Sequence, residues 1–216
     1  MWPRNLGRRP ASESLLTNHQ DLGQDLQVYV SIDEPVASGI DEKWLEGVAK
    51  SALGVALDSP EPAQMSLLVS GDQTVQSLNA RYRGLDEVTD VLSFSAEHQG
   101  HWEGTDDAPD NSLSGSPDGS TGNPNEVQFI LPPDEPNPLG EVIVSYPQVQ
   151  RQAEEHNVTL EYELAHLIIH GVLHLTGHDH AEPEESALMQ SKEVAVLESL
   201  KTQGGLSERL SERLSP

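Results

Sequence analysis

The chain reads as a single domain of mixed strands and helices, and three observations predict it. Four stretches alternate apolar and polar residues with the period of a half-buried strand. Five others repeat their apolar residues at helical spacing, between and after those strands. With 35% hydrophobic and 4% aromatic residues, and 15 Pro beside 17 Gly, the 216 residues supply one compact core and leave part of the chain outside it.

Taken in order, residues 1–24 lack periodicity and read as a disordered tail. Gln27 to Asp33 alternates Val28, Val30 and Ile32, the first strand, and Asp41 to Leu57 places Leu45, Val48, Ala52, Leu53 and Ala56 on one helical face. Ala63 to Gly71 is a second strand. Thr74 is expected to cap a short helix running through Leu78 and Tyr82, and Asp90 to Phe94 is a third strand. Residues 96–139 break the pattern. They carry Glu97, Asp106, Asp107 and Asp134 among Gly, Pro, Ser and Asn, with little that could be buried, and are expected to form a long disordered acidic insertion. His98 and His101 lie inside it and are read as bystanders.

Order is expected to resume with Gly140 to Tyr146 as a fourth strand, followed by a helix over 148–156. Leu160 to Leu175 reads as a helix with Thr159 as N-cap, Glu161 and Glu163 in its first turn, and Gly177 just past its end. Pro183 opens the last helix, which reaches Leu200. The domain therefore spans 25–201, and 202–216 is a charged tail whose LSERLSERLS repeat reads as a frayed helical extension.

Composition narrows the chemistry. Cys is absent, which excludes disulfides and thiolate metal sites, so any transition-metal site must use imidazole and carboxylate. No apolar run approaches the roughly 20 residues that cross a bilayer, and the N-terminal MWPRNLGRRPASESLL has arginines but no apolar segment. A soluble, cytoplasmic protein with no membrane partner is expected. The formal charge of -24 argues against a polyanionic partner, except that no Lys or Arg occurs from Gly84 to Gln150, so much of the negative charge belongs to the insertion.

Five of the nine histidines fall between His166 and His180, in HLIIHGVLHLTGHDH. His166, His170 and His174 are spaced by four, so they share a helix face, each about 6 Å above the last. Only a neighbouring pair can reach one ion through bonds of about 2.1 Å. A third ligand must come from beyond the turn at Gly177, which makes His170 and His174 the pair. His180 is the third member, with His178 a rival for that place. Three imidazoles with an open position follow the plan of a catalytic zinc site. His166 is read as a packed or supporting residue. In zinc proteases of the H-E-x-x-H type a Glu follows the first His as general base; here Gly171 stands there, which argues for another kind of hydrolysis and leaves room for a substrate or a neighbouring segment.

These residues resemble the YbeY endoribonucleases of bacterial ribosomal RNA maturation. The family's H-G-x-L-H-L-x-G-Y-D-H motif matches His170 to His180 at every fixed place but one, where His178 replaces Tyr. L-N-x-x-Y-R is similar to Leu78 to Arg83. T-D-V-L-S-F-P is similar to Thr89 to Ser95, with Ser95 for Pro, and L-G-D-I-x-I-S to Leu139 to Ser145, with Glu141 for Asp. The resemblance covers residues 26–200 apart from the insertion, in the family's order.

It implies an α+β fold with a small mixed four-stranded sheet and the histidine helix central, one Zn2+ per chain held by His170, His174 and His180, and a functional Arg83. It also implies maturation of the 3′ end of 16S ribosomal RNA, with the small ribosomal subunit and its assembly factors as partners. Alone, an Arg ending a short helix is a surface residue; in this segment a guanidinium can grip two phosphate oxygens and stabilise charge developing at phosphorus. With Arg81, Arg83 and Arg151 the few cations at hand, intrinsic RNA affinity is expected to be weak. Two other functions compete: a zinc metalloprotease, disfavoured by Gly171, and a non-enzymatic ribosome-assembly factor with a structural zinc.

Overall fold

The computed structural model describes residues 26–34, 36, 39–57, 61–96 and 135–202. The expected tail and most of the expected insertion, with His98 and His101, lie outside these residues, as does the C-terminal repeat. Four strands, β1 (Leu26–Ile32), β2 (Ala63–Ser70), β3 (Val91–Ser95) and β4 (Asn137–Ser145), form one sheet in the order β1-β2-β4-β3. β1 and β4 run parallel to β2, whereas β3 pairs antiparallel with β4 and forms an edge, so the sheet is mixed and the fold is α+β. Five helices complete it: α1 (Glu42–Ala56), α2 (Asp72–Arg83), α3 (Tyr146–His156), α4 (Leu160–Leu175) and α5 (Pro183–Thr202).

Strand alternation sorts the helices onto two faces. Met65, Leu67, Val142 and Val144 point to the face covered by α1, α4 and α5, where they join Leu45, Leu53, Ile168 and Leu173 in the main core. Leu92 and Ile143 point the other way and meet Val75 of α2, with Leu68, Leu78 and Phe94 packed around them. The helix bearing the histidines is thus central to the larger core.

α4 forms because its N-terminus and C-terminus are both satisfied. Thr159 accepts from the Tyr162 amide, and Gly177, at φ +88°, lets the chain turn back so that its own amide reaches His174 O and the His178 amide reaches Leu173 O. Both bounds agree with the sequence reading. At the start of α1, Asp41 is the cap, its side chain accepting from the Lys43 and Trp44 amides.

Several boundaries differ; α3, for one, starts at Tyr146, a residue expected to end the fourth strand. α2 begins at Asp72 after Gly71, so Thr74 lies inside the helix and does not cap it. The first turn is fixed instead by tertiary bonds: the Asp72 carboxylate accepts from Ser145 Oγ at 2.6 Å and from both terminal nitrogens of Arg151 at 2.9 Å. β4 begins at Asn137, three residues before the expected strand start at Gly140. Leu139 is buried, the Asn137 amide donates to Pro62 O, and the register slips by one residue between Gln64 and Met65. Gly140 sits at φ +128°, with Phe94 O only 2.0 Å from where a Cβ would lie, so glycine is required. Finally, α5 runs on to Thr202, one residue into the expected tail.

Candidate metal centre

Gly171 explains how α4 reaches the sheet. A Cβ there would come within 2.7 Å of Val142 Cγ1 and 3.0 Å of Val91 Cγ2, and its carbonyl accepts from Ser93 Oγ at 2.9 Å. The space expected beside Gly171 is filled by the neighbouring strands β3 and β4. With the Gly171 side of α4 seated on the sheet, the stripe carrying His170 and His174 is turned away from it, toward α5 and the chain after Gly177.

There the three histidines meet. One ring nitrogen each from His170, His174 and His180 lie within 4.8 Å of one another, the group of potential metal ligands found among the described residues. His170 Nε2 and His174 Nε2 are 3.1 Å apart, close to the roughly 3.4 Å that separates two ligands on tetrahedral bonds of about 2.1 Å. The His180 ring stacks at 5.6 Å from that of His170 and stands edge-on at 5.0 Å from that of His174. The Schellman-type turn at Gly177 thus brings back the ligand that the helix alone could not supply.

Protonation suits this donor set. Burial, reinforced by the imidazoles of His170 and His180, pushes His174 down to about 4, so it is neutral near pH 7 with a lone pair to give. His170 is fixed by a residue that the sequence reading missed. Its Nδ1 lies 2.8 Å from Glu193 Oε1 on α5. Burial acts to raise Glu193, but the hydrogen bond to His170 and the nearby imidazoles of His166, His170 and His174 outweigh it and hold the carboxyl below its usual range. A carboxylate only accepts, so Nδ1 carries the hydrogen, and Nε2 is the ring nitrogen that faces His174. This is the carboxylate–histidine arrangement that orients imidazole ligands.

The remaining candidates fall outside the group. His178 Nε2 faces Ala56 O at 3.4 Å, where Lys192 Nζ also donates at 3.3 Å; it closes the C-terminal end of α1. His166 stands one turn before His170, its ring 6.4 Å away. Arg83 ends α2 on the opposite face of the sheet, half-buried, with its Nε buried. Strand β3 links the two faces: the ring of Tyr82, next to Arg83, packs on Phe94 at 5.1 Å, while Ser93, next to Phe94, bonds to Gly171.

The family model described as Endoribonuclease YbeY matches this chain over residues 31–201. A curated protein named Endoribonuclease YbeY from Dehalococcoides mccartyi (strain ATCC BAA-2100 / JCM 16839 / KCTC 5957 / BAV1) is 33% identical over 176 residues, 82% of this chain and 98% of that one. Its namesake from Magnetococcus marinus is 37% identical, covering 74% of this chain and 90% of its own length. A third, from Roseiflexus castenholzii, is 34% identical across 82% and 94% respectively.

Proposed function

The chain belongs to the YbeY endoribonuclease family, and from that premise we propose that it is a zinc-dependent, single-strand-specific endoribonuclease that matures the 3′ end of 16S ribosomal RNA. The observation that carries the metal assignment is the facing pair of ring nitrogens: with His170 Nδ1 on Glu193, its Nε2 lies 3.1 Å from His174 Nε2, and His180 completes the group. Two ring nitrogens facing at 3.1 Å are held together by a proton or a cation between them. Three imidazoles and no thiolate fit zinc, which when bound would supply Lewis acidity toward water and phosphate.

The chain's own residues would do the rest. His170, His174 and His180 hold the ion, Glu193 orients His170, and Arg83 grips the phosphate through two guanidinium hydrogen bonds as charge develops on it. Peptide hydrolysis fits less well. A Glu at position 171 would project into Val142 and Val91 and not toward the histidines. The small ribosomal subunit and its assembly factors are the proposed route by which RNA reaches a chain of charge -24. No helix among the described residues is long and apolar enough to cross a membrane.

The test pairs metal analysis with cleavage. Purified protein should carry about one zinc per chain. His170→Ala and His174→Ala should each lose it and should fail to cut a precursor RNA bearing the 3′ end of the small-subunit ribosomal RNA. Near-stoichiometric zinc in both variants after dialysis against chelator would overturn the ligand assignment. Equal cleavage by the wild type and the variants would overturn the nuclease assignment.

A further inference from the structure

We infer that Tyr82, bracketed by Arg81 and Arg83 at the end of α2, is a stacking platform for an unpaired base of the RNA strand being cut; this rests on the nuclease reading above. Among the described residues the large apolar side chains left exposed are Tyr29, Tyr82, Leu188 and Val194. Tyr82 stands out from the other three because its ring is both exposed, at 55%, and held by a second ring. Phe94 meets it edge-on, with centroids 5.1 Å apart and planes at 65°. An aromatic ring fixed in place and open to solvent can receive a base of any identity, because every base has a π-face.

Charge points to the same place. Arg81 lies over the Tyr82 ring, its Cζ 5.2 Å from the centroid, so a planar cation already occupies the face that a base would take. Among the described residues, several other cations are taken up by neighbours: Lys50 pairs with Glu46, Arg151 with Asp72 and Lys201 with Glu198, while Lys192 donates to the carbonyls of Val55 and Ala56. In a chain of charge -24, Arg81 and Arg83 place two guanidinium groups within three residues, with an aromatic between them. As the base takes the ring, Arg81 swings outward to a flanking phosphate. β3 is an edge strand, and Tyr82 and the histidines lie on its two sides through Phe94 and Ser93. A single strand crossing that edge can rest a base on Tyr82 and present a neighbouring phosphate to Arg83 and the histidine group. A duplex, with its bases already stacked, gains nothing from the platform, which gives the preference for unpaired RNA a structural cause.

The experiment measures binding of a labelled, nuclease-resistant 2′-O-methyl single strand of about ten nucleotides to metal-loaded protein, beside KM and kcat for cleavage of unmodified RNA. Tyr82→Ala should weaken binding and raise KM about 5-fold to 100-fold, with zinc content unchanged. Tyr82→Trp should stay within about threefold of wild type. Tyr82→Leu, which keeps an apolar contact with Phe94 but has no π-face, should behave like the Ala variant and so separates stacking from packing. If Ala fails to fold, the Leu and Trp pair decides. Wild-type-like binding in Tyr82→Leu, or equal losses in Leu and Trp, would overturn the platform while metal-dependent cleavage left the nuclease reading intact. A wild type that neither binds nor cuts RNA would remove both.

Discussion

On one face of the sheet, α1, α4 and α5 bury a continuous core that runs from Leu45 and Leu53 through Met65 and Leu67 to Ile168 and Leu173. On the other, α2 buries Val75 against Leu92 and Ile143 and leaves Tyr82 and Arg81 in solvent. The difference follows the tolerance of each task. Metal ligands must be held to a fraction of an ångström, and His170 and His174 sit on the helix whose opposite stripe is sealed into the deeper core. Groups that meet a flexible polyanion need reach, and they stand over the shallower one.

The comparison breaks most severely at Gly171. Gly171→Glu would bury an unpaired carboxylate against Val142 and Val91, whose branched side chains have little freedom to move aside. We expect a loss of more than about 4 kcal/mol. At about 2–4 °C per kcal/mol, Tm should fall by more than about 10 °C in thermal denaturation followed by circular dichroism. A melt within about 3 °C of wild type would mean that α4 does not depend on this close approach. Next in size is Glu193→Gln, which keeps the shape but replaces the carboxylate that fixes the His170 tautomer. Zinc affinity measured by competition with a chelating dye should drop about 10-fold to 100-fold. Unchanged affinity would show that the 2.8 Å contact with His170 does not orient the ligand.

How legible each region was depends on whether its causes are local. The bounds of α4, its Thr159 cap, the stop at Gly177 and the histidine group all follow from spacing within 22 residues, and the structure brings His170, His174 and His180 together. Glu193 could not be found that way: it reaches His170 from another helix, 23 residues on, and Glu is common on exposed helical faces. The true start of α2 was hidden for a similar reason, since Asp72 is held by Ser145 and Arg151, which are distant in sequence. The sequence reading starts β4 late because Asn137 and Pro138 look like loop residues; the register shift at Gln64 and Met65 accompanies their entry into the strand.

The smallest effect concerns residues 97–134, which interrupt the β3–β4 hairpin. The pair remains hydrogen-bonded out to Ala96 and Leu139, with Ser95 opposite Gly140. Replacing 97–134 with about four Gly and Ser residues should therefore leave a zinc-loaded domain with Tm within about 5 °C of wild type, since shortening a loop slightly favours its closure. A Tm lowered by more than about 10 °C would show that the segment packs on the domain and contributes more than about 2.5 kcal/mol.

The central claim is that a metal group on the deep face and an arginine on the shallow face act on one phosphate across the β3 edge. The direct test is single-turnover cleavage of the precursor RNA by Arg83→Ala protein at saturating RNA, with zinc measured in the same sample. The rate should fall about 100-fold to 1000-fold while zinc stays near one per chain, and Arg83→Lys should restore little, because a point charge lacks the bidentate fork. Cleavage within about threefold of wild type, in protein carrying its full zinc, would contradict the claim.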